Sequence, residues 1–308
     1  MRVADRWTEY RVQDASAGRR LELWNGYTLV RPDPQVIWTT GETHPGWKKP
    51  NAVYHRSSQG GGHWDFFDLP EEWMLHYALP GTSPVSGSQQ LSFHLKPFAF
   101  KHTGVFPEQA ANWDVSFRLL KGAAEHRQEA PKVLNLFAYT GGATLAAAAA
   151  GAAVTHVDAS KGMVSWAKEN AESSGLGAAP IRWLVDDCMK FVEREIRRGR
   201  KYDAIIMDPP SYGRGPKGEI WKIEESIFPF VQRCAELLSD EPLFFLINSY
   251  TTGLQPGVLA YLLQLSVETR HQGSVQADEL GLPADGGRHV LPCGASGWWF
   301  SAAAAKKL

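Results

Sequence analysis

The segment Val133-Leu-Asn-Leu-Phe-Ala-Tyr-Thr-Gly-Gly142 predicts a strand that ends at a pair of glycines. The first five residues are mostly apolar, as in a strand that is buried on both faces. An alanine-rich segment follows and predicts a helix. Paired glycines at a strand-to-helix turn let the backbone approach a ligand closely, although a plain tight turn also favours glycine. We therefore expect a ligand site at this turn.

Strands and helices alternate from here onward. Apolar runs predict strands at 133–137, 154–157, 181–185, 204–207 and 243–247. Helical patterns occur at 107–125, after the paired glycines, and at 161–173, 189–198, 223–238 and 258–267. Two more strands are expected at 273–280 and 296–302. Near-continuous apolar strands separated by helices are typical of an α/β fold with a parallel sheet covered on both faces.

Residues 1–97 have a different sequence pattern. They contain short alternating runs at 20–24, 27–30, 36–38 and 91–95, separated by turn-forming residues. Asn25-Gly26 lies between two of these runs and is a strong signal for a tight β-hairpin. The sequence thus predicts two domains: a β-rich domain over 1–97 and a larger α/β domain over 98–308 that carries the ligand site.

The composition excludes several classes of protein. With 44% hydrophobic residues in a chain of 308, a large core can be buried. No apolar run reaches the roughly 18 residues that a membrane-spanning helix needs, and the N-terminus has no signal-peptide pattern, so we expect a cytoplasmic protein without a membrane partner. The net charge of −1 neither requires nor excludes a nucleic-acid partner.

The three cysteines, Cys188, Cys234 and Cys293, lie far apart in the sequence. Their number is odd and their spacing is unlike that of a metal site, so neither a disulfide framework nor a bound metal is predicted. We expect reduced thiols that are mostly buried.

Carboxylates stand at the ends of the second and third predicted strands. In a doubly wound sheet, ligands bind beyond the carboxyl ends of the strands, near the point where the strand order reverses. Asp158, 16 residues after Gly142, is placed to accept hydrogen bonds from both hydroxyls of a ribose. Asp187, more than Asp186, is placed to accept from an adenine amino group. The alternative is that these residues, or Ser160, cap the helices that follow.

The glycine pattern separates two classes of nucleotide. The G-x-G-x-x-G fingerprint of dinucleotide-binding turns is absent, since the turn has only two adjacent glycines. A pyrophosphate site, and with it an NAD-dependent oxidoreductase, is therefore disfavoured. The remaining candidate ligand is a nucleoside without phosphates.

The fourth predicted strand ends in Met207-Asp-Pro-Pro-Ser-Tyr212. Pro209 and Pro210 fix the backbone and remove two N–H donors, which leaves carbonyls and the Asp208 carboxylate as acceptors. Together with the Tyr212 ring, these groups suit a flat substrate that carries an amino group. A loop that only needs rigidity is the alternative. We predict catalytic roles for Asp208, Pro209, Pro210 and Tyr212.

The loop that follows mixes basic and aromatic side chains, namely Arg214, Lys217, Trp221 and Lys222. Such a mixture suits phosphates and stacked bases, so these four residues are candidates for substrate binding. A solvated lid is an equally good interpretation of the same residues.

Together these motifs resemble the class I S-adenosylmethionine-dependent methyltransferases, and within them the bacterial subgroup that includes large-subunit ribosomal RNA methyltransferases. The resemblance covers residues 98 to about 300. It rests on Lys101-His-Thr-Gly-Val-Phe-Pro-Glu-Gln109, on Leu134-Asn-Leu-Phe-Ala-Tyr-Thr-Gly-Gly142, on Asp158 and Asp186-Asp187, and on the segment from Asp208 to Lys217. It implies a Rossmann-like sheet of seven strands, the last one antiparallel, with S-adenosyl-L-methionine as the cofactor.

The resemblance also implies roles for single residues. Tyr139, Gly141 and Gly142 would line the methionine part of the cofactor, Asp158 would hold its ribose and Asp187 its adenine. Phe106 and Gln109, just before the first helix of the larger domain, are placed to cover the cofactor, unless this segment only joins the domains. The full set of cofactor-binding candidates is Phe106, Gln109, Phe137, Ala138, Tyr139, Gly141, Gly142, Asp158, Ala159, Ser160, Asp186, Asp187 and Cys188.

One departure from the subgroup bears on the reaction. Members that methylate carbon 5 of cytosine use a cysteine just after the fifth strand, because a thiolate must add to carbon 6. Here that place reads Ile247-Asn-Ser-Tyr-Thr-Thr-Gly253, without a cysteine. We therefore expect methylation of a base nitrogen in RNA, with ribosomal RNA as the substrate. The alternatives are carbon-5 chemistry, a protein or small-molecule substrate, and a cofactor-binding module without activity.

Overall fold

A computed structural model describes residues 1–57, 61–81, 90–98, 101–214 and 220–307. Its contacts divide the chain into two compact units, the first comprising Met1–Ala111 and Leu280–Cys293, the second Asn112–Glu279 and Gly294–Leu308. The predicted boundary between residues 97 and 98 does not coincide with this division. The difference arises because the tip of the C-terminal hairpin pairs with the first unit, where Arg2 lies opposite Leu280 and Val12 opposite Ala284.

The first unit is built from β-strands, as the sequence predicts. The strands are β1 (Arg2–Val3), β2 (Tyr10–Ser16), β3 (Arg19–Trp24), β4 (Tyr27–Pro32), β5 (Ala52–Arg56), β6 (Gly62–Phe66), β7 (Trp73–Ala78) and β8 (Gln90–Leu95). Strands β2 to β6 lie side by side in chain order, and β7 pairs with β8. Asn25 and Gly26 join β3 and β4 with φ values of 43° and 91°, the left-handed pair that the Asn-Gly signal predicts.

The strand predicted at 36–38 is wrong. The structure has an irregular turn there, in which the Val36 N–H donates to the Asp33 carbonyl at 3.1 Å. The Asp33 side chain accepts a further bond from the Gln35 N–H at 3.1 Å. An aspartate between two prolines thus forms a local side-chain turn, and this turn overrides the β propensity of the apolar residues that follow.

A charged cluster lies inside the first unit. Glu22 is fully buried and accepts hydrogen bonds from Arg31 Nε at 2.6 Å, Arg31 Nη2 at 2.8 Å and Tyr10 Oη at 2.7 Å. Burial alone would raise the pKa of Glu22, but the guanidinium groups of Arg20 and Arg31 and these hydrogen bonds lower it to about 2. Glu22 is therefore a carboxylate at neutral pH and a partner of the fold's own cations.

The second unit alternates strands and helices. Its elements are α1 (Ala110–Ala124, whose first two residues belong to the first unit), β9 (Lys132–Leu136), α2 (Gly142–Ala149), β10 (Ala153–Asp158), α3 (Lys161–Ser173), β11 (Ile181–Val185), α4 (Cys188–Arg197), β12 (Ala204–Met207), β13 (Tyr212–Arg214), β14 (Ile220–Lys222), α5 (Ile223–Ala235), β15 (Phe244–Ser249), α6 (Pro256–Leu263), β16 (Gly273–Ala284), β17 (His289–Ser301) and α7 (Ala302–Ala305). No helix among the described residues is long and apolar enough to cross a membrane.

The sheet of the second unit has seven strands in the order β11-β10-β9-β12-β15-β17-β16. Strands β9 to β12 and β15 pair in parallel, whereas β17 pairs antiparallel with β15. This confirms the predicted Rossmann-like fold. The chain leaves β9 toward β10 and β11 and then returns to β12 on the other side of β9. The carboxyl ends of β9 and β12 therefore flank the reversal, which is where ligands bind in such sheets.

Candidate active site

The turn after β9 has an unusual backbone. Phe137, Tyr139 and Gly141 have φ values of 54°, 50° and 90°. Left-handed conformations cost about 1–3 kcal/mol each for residues other than glycine, so the surroundings must hold this turn. The Phe137 N–H donates to Cys188 Sγ at 3.4 Å, and the Ala138 N–H donates to the Val157 carbonyl at 3.1 Å. The turn is thereby fixed to β10 and to the first residue of α4.

The two glycines of this turn serve different purposes. Gly141 is in the left-handed region and precedes α2. A Cβ on Gly142 would lie 2.4 Å from Cζ2 of Trp113, closer than any side chain tolerates. Gly142 is thus required by the packing of α2 against an indole. Both predicted glycine positions matter, but the second for a reason the sequence alone did not reveal.

Asp158 links the turn after β9 to the turn after β10. Its Oδ2 accepts from the Tyr139 N–H at 2.9 Å, and its Oδ1 accepts from the Ser160 N–H at 2.8 Å. Burial raises the pKa of this carboxyl, against the lowering effect of the two hydrogen bonds. Capping of α3 falls instead to Ser160, whose hydroxyl accepts from the Met163 N–H at 3.4 Å. Each oxygen of a carboxylate has two acceptor sites, so Asp158 retains capacity for a diol.

The two aspartates after β11 are also fixed by the protein. Asp187 caps α4 by accepting from the Lys190 N–H at 2.8 Å. Asp186 accepts from the Asp187 N–H at 2.9 Å and forms an ion pair with Arg194. The capping alternative is therefore realised for Asp187, but a carboxylate that caps through one oxygen can accept a ligand hydrogen bond through the other.

A cavity of about 340 Å³ opens at the carboxyl ends of β9 to β12. Five of its residues were singled out in the sequence as cofactor or catalytic candidates, namely Phe137, Ala159, Asp187, Cys188 and Pro210. Its remaining residues are Met189, Lys190, Gly213, Ile220 and Trp221. Met189 and Lys190 were missed, although their position directly after the Asp186-Asp187-Cys188 motif is a signal that could have found them. The walls are mainly apolar, with one carboxylate and one ammonium group.

The Asp208-Pro209-Pro210 segment continues β12 as a rigid tip. The Asp208 N–H reaches the Leu136 carbonyl at 3.4 Å, which extends the parallel pairing with β9 by one residue. The Pro210 carbonyl accepts from Trp221 Nε1 at 2.6 Å. Beyond the tip, the Ser211 hydroxyl shares a 2.5 Å hydrogen bond with the Thr251 hydroxyl, which follows β15. Hydrogen bonds from two separate segments thus fix the predicted catalytic tip in place.

One substrate candidate, Trp221, is buried. It is only 7% exposed, and its ring centroid lies 5.2 Å from that of Phe137 and 5.6 Å from that of Phe230. Trp221 lines the cavity, and its role toward a substrate stays a prediction. The sequence could not show this burial, because it depends on the pairing of β13 with β14 and on the packing of α5.

The other candidates near the tip lie in different surroundings. Tyr212 is 52% exposed beside the tip. Lys222 is exposed and forms an ion pair with Glu225 at 2.9 Å. The backbone of Arg214 pairs with Ile220 in the β13–β14 hairpin, and Lys217 lies outside the described residues.

Phe106 and Gln109 belong to the first unit. Phe106 is partly buried, and its ring centroid lies 5.1 Å from that of His102. Gln109 is buried in the short 3-10 turn that precedes α1. The role of these two residues toward a cofactor stays a prediction.

All three cysteines are free and buried, as expected. Cys188 lines the cavity, and burial raises the pKa of its thiol well above the usual value. Near the carboxyl end of β15, Asn248 is buried and accepts from Asn112 Nδ2 at 2.9 Å and from Ser296 Oγ at 3.0 Å.

Comparisons with known proteins identify the family of the chain. Residues 98–251, half of the chain, match the model of a family described as S-adenosylmethionine-dependent methyltransferase. The crystal structure of a SAM-dependent methyltransferase from Agrobacterium tumefaciens superposes with a TM-score of 0.82 at 38% sequence identity. The superposition covers 95% of this chain and 90% of that one.

Two curated relatives are similar over shorter stretches. A protein named ribosomal RNA large subunit methyltransferase K/L, from Shewanella frigidimarina, is 27% identical over 63% of this chain. One named ribosomal RNA large subunit methyltransferase K, from Neisseria meningitidis, is 32% identical over 38% of this chain. The matches cover 25% and 34% of these relatives, so the chain spans about a quarter to a third of their length.

Proposed function

Since this chain belongs to the S-adenosylmethionine-dependent methyltransferase family, we propose that it methylates a base nitrogen in RNA, with large-subunit ribosomal RNA as the substrate. The names of the relatives from Shewanella frigidimarina and Neisseria meningitidis support the class of substrate. One observation supports the atom that is modified: the rigid tip Asp208-Pro209-Pro210, whose two prolines have no N–H, follows β12 and adjoins the cavity through Pro210.

The cavity fits the adenosine part of the methyl donor. Its apolar walls include Phe137, Met189 and Ile220, which suit the faces of a purine, and Asp187 provides an acceptor for an amino group. Asp158 lies at the adjacent strand end with both oxygens oriented by backbone N–H groups. Ligand sites in proteins are commonly apolar clefts with a few placed polar groups, and this cavity has that character.

Residues of the second unit would hold the donor. We assign the ribose to Asp158 and the adenine edge to Asp187, with Ala159, Cys188 and Phe137 around the ring. We assign the methionine part to the turn that contains Tyr139, Gly141 and Gly142, where Tyr139 and Gly141 are in the left-handed region. Phe106 and Gln109 would cover the donor from the segment before α1. When bound, the donor supplies a methyl group on a positively charged sulfur, which a nitrogen lone pair can attack directly.

The tip orients the target base. Two consecutive prolines provide no N–H, so an amino group placed here faces oxygen acceptors only. The Asp208 carboxylate accepts a hydrogen bond from the target's N–H and takes its proton as the nitrogen bonds to the methyl group and becomes positively charged, and the Pro209 carbonyl is the second acceptor. Holding the nitrogen in line with the donor accounts for most of the catalysis, since such positioning can contribute about 7–11 kcal/mol.

Carbon-5 chemistry is disfavoured by the state of the thiols. It needs a thiolate that adds to carbon 6 of cytosine. Of the three cysteines, only Cys188 lines the cavity, and its raised pKa keeps the thiol protonated at neutral pH. Its sulfur is also engaged with the Phe137 N–H and the Val157 carbonyl. Cys188 is thus a structural residue of the cofactor turn.

We further propose that RNA lies along the segment that follows the tip. Tyr212 is placed to stack on the flipped base or on its neighbour, and Lys222, Arg214 and Lys217 are candidates for phosphate contacts. A ribosomal RNA substrate implies that the protein works in the cytoplasm.

The test is transfer of a labelled methyl group to RNA, protein and small metabolites from a strain that lacks this gene. We expect label in large-subunit ribosomal RNA, and nucleoside mass spectrometry should show a methyl group on a base nitrogen. Asp208→Asn protein serves as the inactive control. Label at carbon 5 of a pyrimidine would contradict the assigned atom, and label only in protein or metabolites would overturn the RNA substrate.

A further inference from the structure

Two histidines and an aspartate come together on the β5–β6 hairpin of the first unit. In this antiparallel pair His55 lies opposite His63, and Val53 lies opposite Asp65. Side chains that face each other across a pair, and those two residues apart in one strand, share a face of the sheet. His55, His63 and Asp65 therefore project from one face, while Tyr54 and Trp64 project from the other.

The distances within this cluster approach those of a metal site. His55 Nε2 lies 3.0 Å from Asp65 Oδ2, and His63 Nε2 lies 3.7 Å from Asp65 Oδ1. One ligand atom from each residue can be chosen so that all lie within 4.8 Å of one another. Zinc bonds to nitrogen and oxygen of about 2.0–2.2 Å place the ligands of a tetrahedral site roughly 3.3–3.6 Å apart. Small side-chain rotations would close the difference.

The side chains are free to make those rotations. The side chains of His55, His63 and Asp65 are 48%, 70% and 49% exposed. The imidazole rings are stacked with centroids 5.2 Å apart, and both Nε2 atoms lie within 3.7 Å of an oxygen of the same carboxylate. A single ion on this face can reach all three groups directly from solvent.

We propose that His55, His63 and Asp65 bind a divalent transition metal, with zinc as the best fit. Two imidazoles with one carboxylate form a set that zinc prefers, and they leave a fourth position for water. Magnesium and calcium prefer sites made entirely of oxygen. The sequence did not predict this site. Its ligands are two histidines and an aspartate, which come together only when β5 pairs with β6.

The metal would join two strands at the edge of a sheet. Within the described residues, β6 is the last strand in the order β2 to β6 and pairs with β5. An edge strand is held by one ladder of hydrogen bonds and is a weak point of a sheet. A metal held by both strands would stabilise the folded hairpin in proportion to its affinity.

The test is a calorimetric titration of zinc into the full chain, with magnesium as a second titrant. We expect one zinc per chain and no binding of magnesium. His63→Ala and Asp65→Asn should each lower the zinc affinity by at least about tenfold, since even outer-sphere partners of a metal are worth that much. His126→Ala removes an exposed histidine of the second unit and should leave zinc affinity unchanged.

Thermal unfolding gives a second readout. Zinc should raise the unfolding midpoint of the wild-type and His126→Ala proteins but not that of His63→Ala. All three ligands are exposed, so the variants should fold without metal. Equal zinc affinity in the wild type and His63→Ala would place the ion elsewhere and overturn the proposal. The absence of binding by the wild type in excess zinc would also overturn it and leave a hydrogen-bonded cluster only.

Discussion

Glu22 in the first unit is fully buried and Asp158 in the second is partly buried, and the two carboxylates are held in different ways. Side chains provide the hydrogen bonds of Glu22: Arg31 donates to both oxygens and Tyr10 donates to one. These bonds and the nearby guanidinium groups lower the pKa of Glu22 to about 2. Backbone N–H groups hold Asp158 at a strand end, and burial raises its pKa. A carboxylate neutralised by buried cations stabilises a fold, whereas one held by the backbone at a strand end can still bind a ligand.

The largest effect should come from Glu22. Glu22→Gln leaves the buried Arg31 without its charge partner, so the free energy of unfolding should fall by about 3–5 kcal/mol. Chemical denaturation measures this, and Glu42→Gln is the matched control because Glu42 forms an exposed ion pair with Arg19, worth at most about 1 kcal/mol. If the Glu22→Gln protein lost donor binding at a temperature where it remains folded, Glu22 would have a role in ligand binding, and the contrast between the two carboxylates would be wrong.

The same residue predicts a pH dependence. Because the pKa of Glu22 is lower in the folded state than its usual value of 4.5, its contribution is complete above about pH 4.5. That contribution should be lost as the pH falls toward 2, and Glu22→Gln should lack this part of the acid transition.

Asp208→Asn tests the proposed catalytic carboxylate of the second unit. Loss of this carboxylate, which we propose accepts the target's N–H, should lower kcat by about 100-fold or more, as expected for a positioned proton acceptor. The affinity for S-adenosylhomocysteine, the product of the donor, and the thermal midpoint should stay close to those of the wild type. Glu225→Gln, an exposed carboxylate near the same loop, is the control. Full turnover by Asp208→Asn would place the catalytic group elsewhere.

Gly142→Ala tests whether packing requires the second glycine. The new Cβ would overlap the Trp113 ring, so the free energy of unfolding should fall by about 1–3 kcal/mol. Gly122→Ala is the matched control in α1, where nothing lies within 4 Å of the new Cβ, and alanine there should stabilise by about 0.5–1 kcal/mol. Rescue of Gly142→Ala by Trp113→Leu would sharpen the assignment. A stable Gly142→Ala protein would disprove it.

Trp221→Phe should have the smallest effect of this series. The substitution keeps a ring between Phe137 and Phe230 but removes the hydrogen bond to the Pro210 carbonyl, worth about 1 kcal/mol. We expect kcat to fall about five- to tenfold while the KM for the donor changes less. Phe230→Leu keeps that hydrogen bond and should lower the unfolding midpoint rather than kcat. A change confined to the donor KM would make Trp221 a cofactor residue alone.

The sequence predicted the second unit well because its signals are local. The strands at 181–185 and 204–207 and the helix at 161–173 were predicted with the bounds that the structure has. A buried strand in a parallel sheet is apolar along its whole length, and the capping residues beside it are close in sequence. The carboxylates at the strand ends could be found for the same reason.

The failures of sequence analysis concern pairing between distant residues. The burial of Trp221 depends on a hairpin and on α5, and the hairpin tip at 280–293 belongs to the first unit because it pairs with β1 and β2. His55, His63 and Asp65 have no metal-type spacing, and only the register of β5 with β6 brings them together. Strand register is set by turns and by the face that is buried, which local patterns report poorly.

We propose that separate strand ends of the second unit hold the donor and the target. Calorimetric titration of S-adenosylhomocysteine into the wild-type protein and the Asp158→Asn and Asp208→Asn variants tests this proposal. We expect Asp158→Asn to lose at least about tenfold in affinity, because a carboxylate that accepts from two hydroxyls contributes charge-assisted hydrogen bonds. Asp208→Asn should bind as tightly as the wild type although its turnover is lost. Wild-type affinity in Asp158→Asn, or lost affinity in Asp208→Asn, would contradict this division of the site.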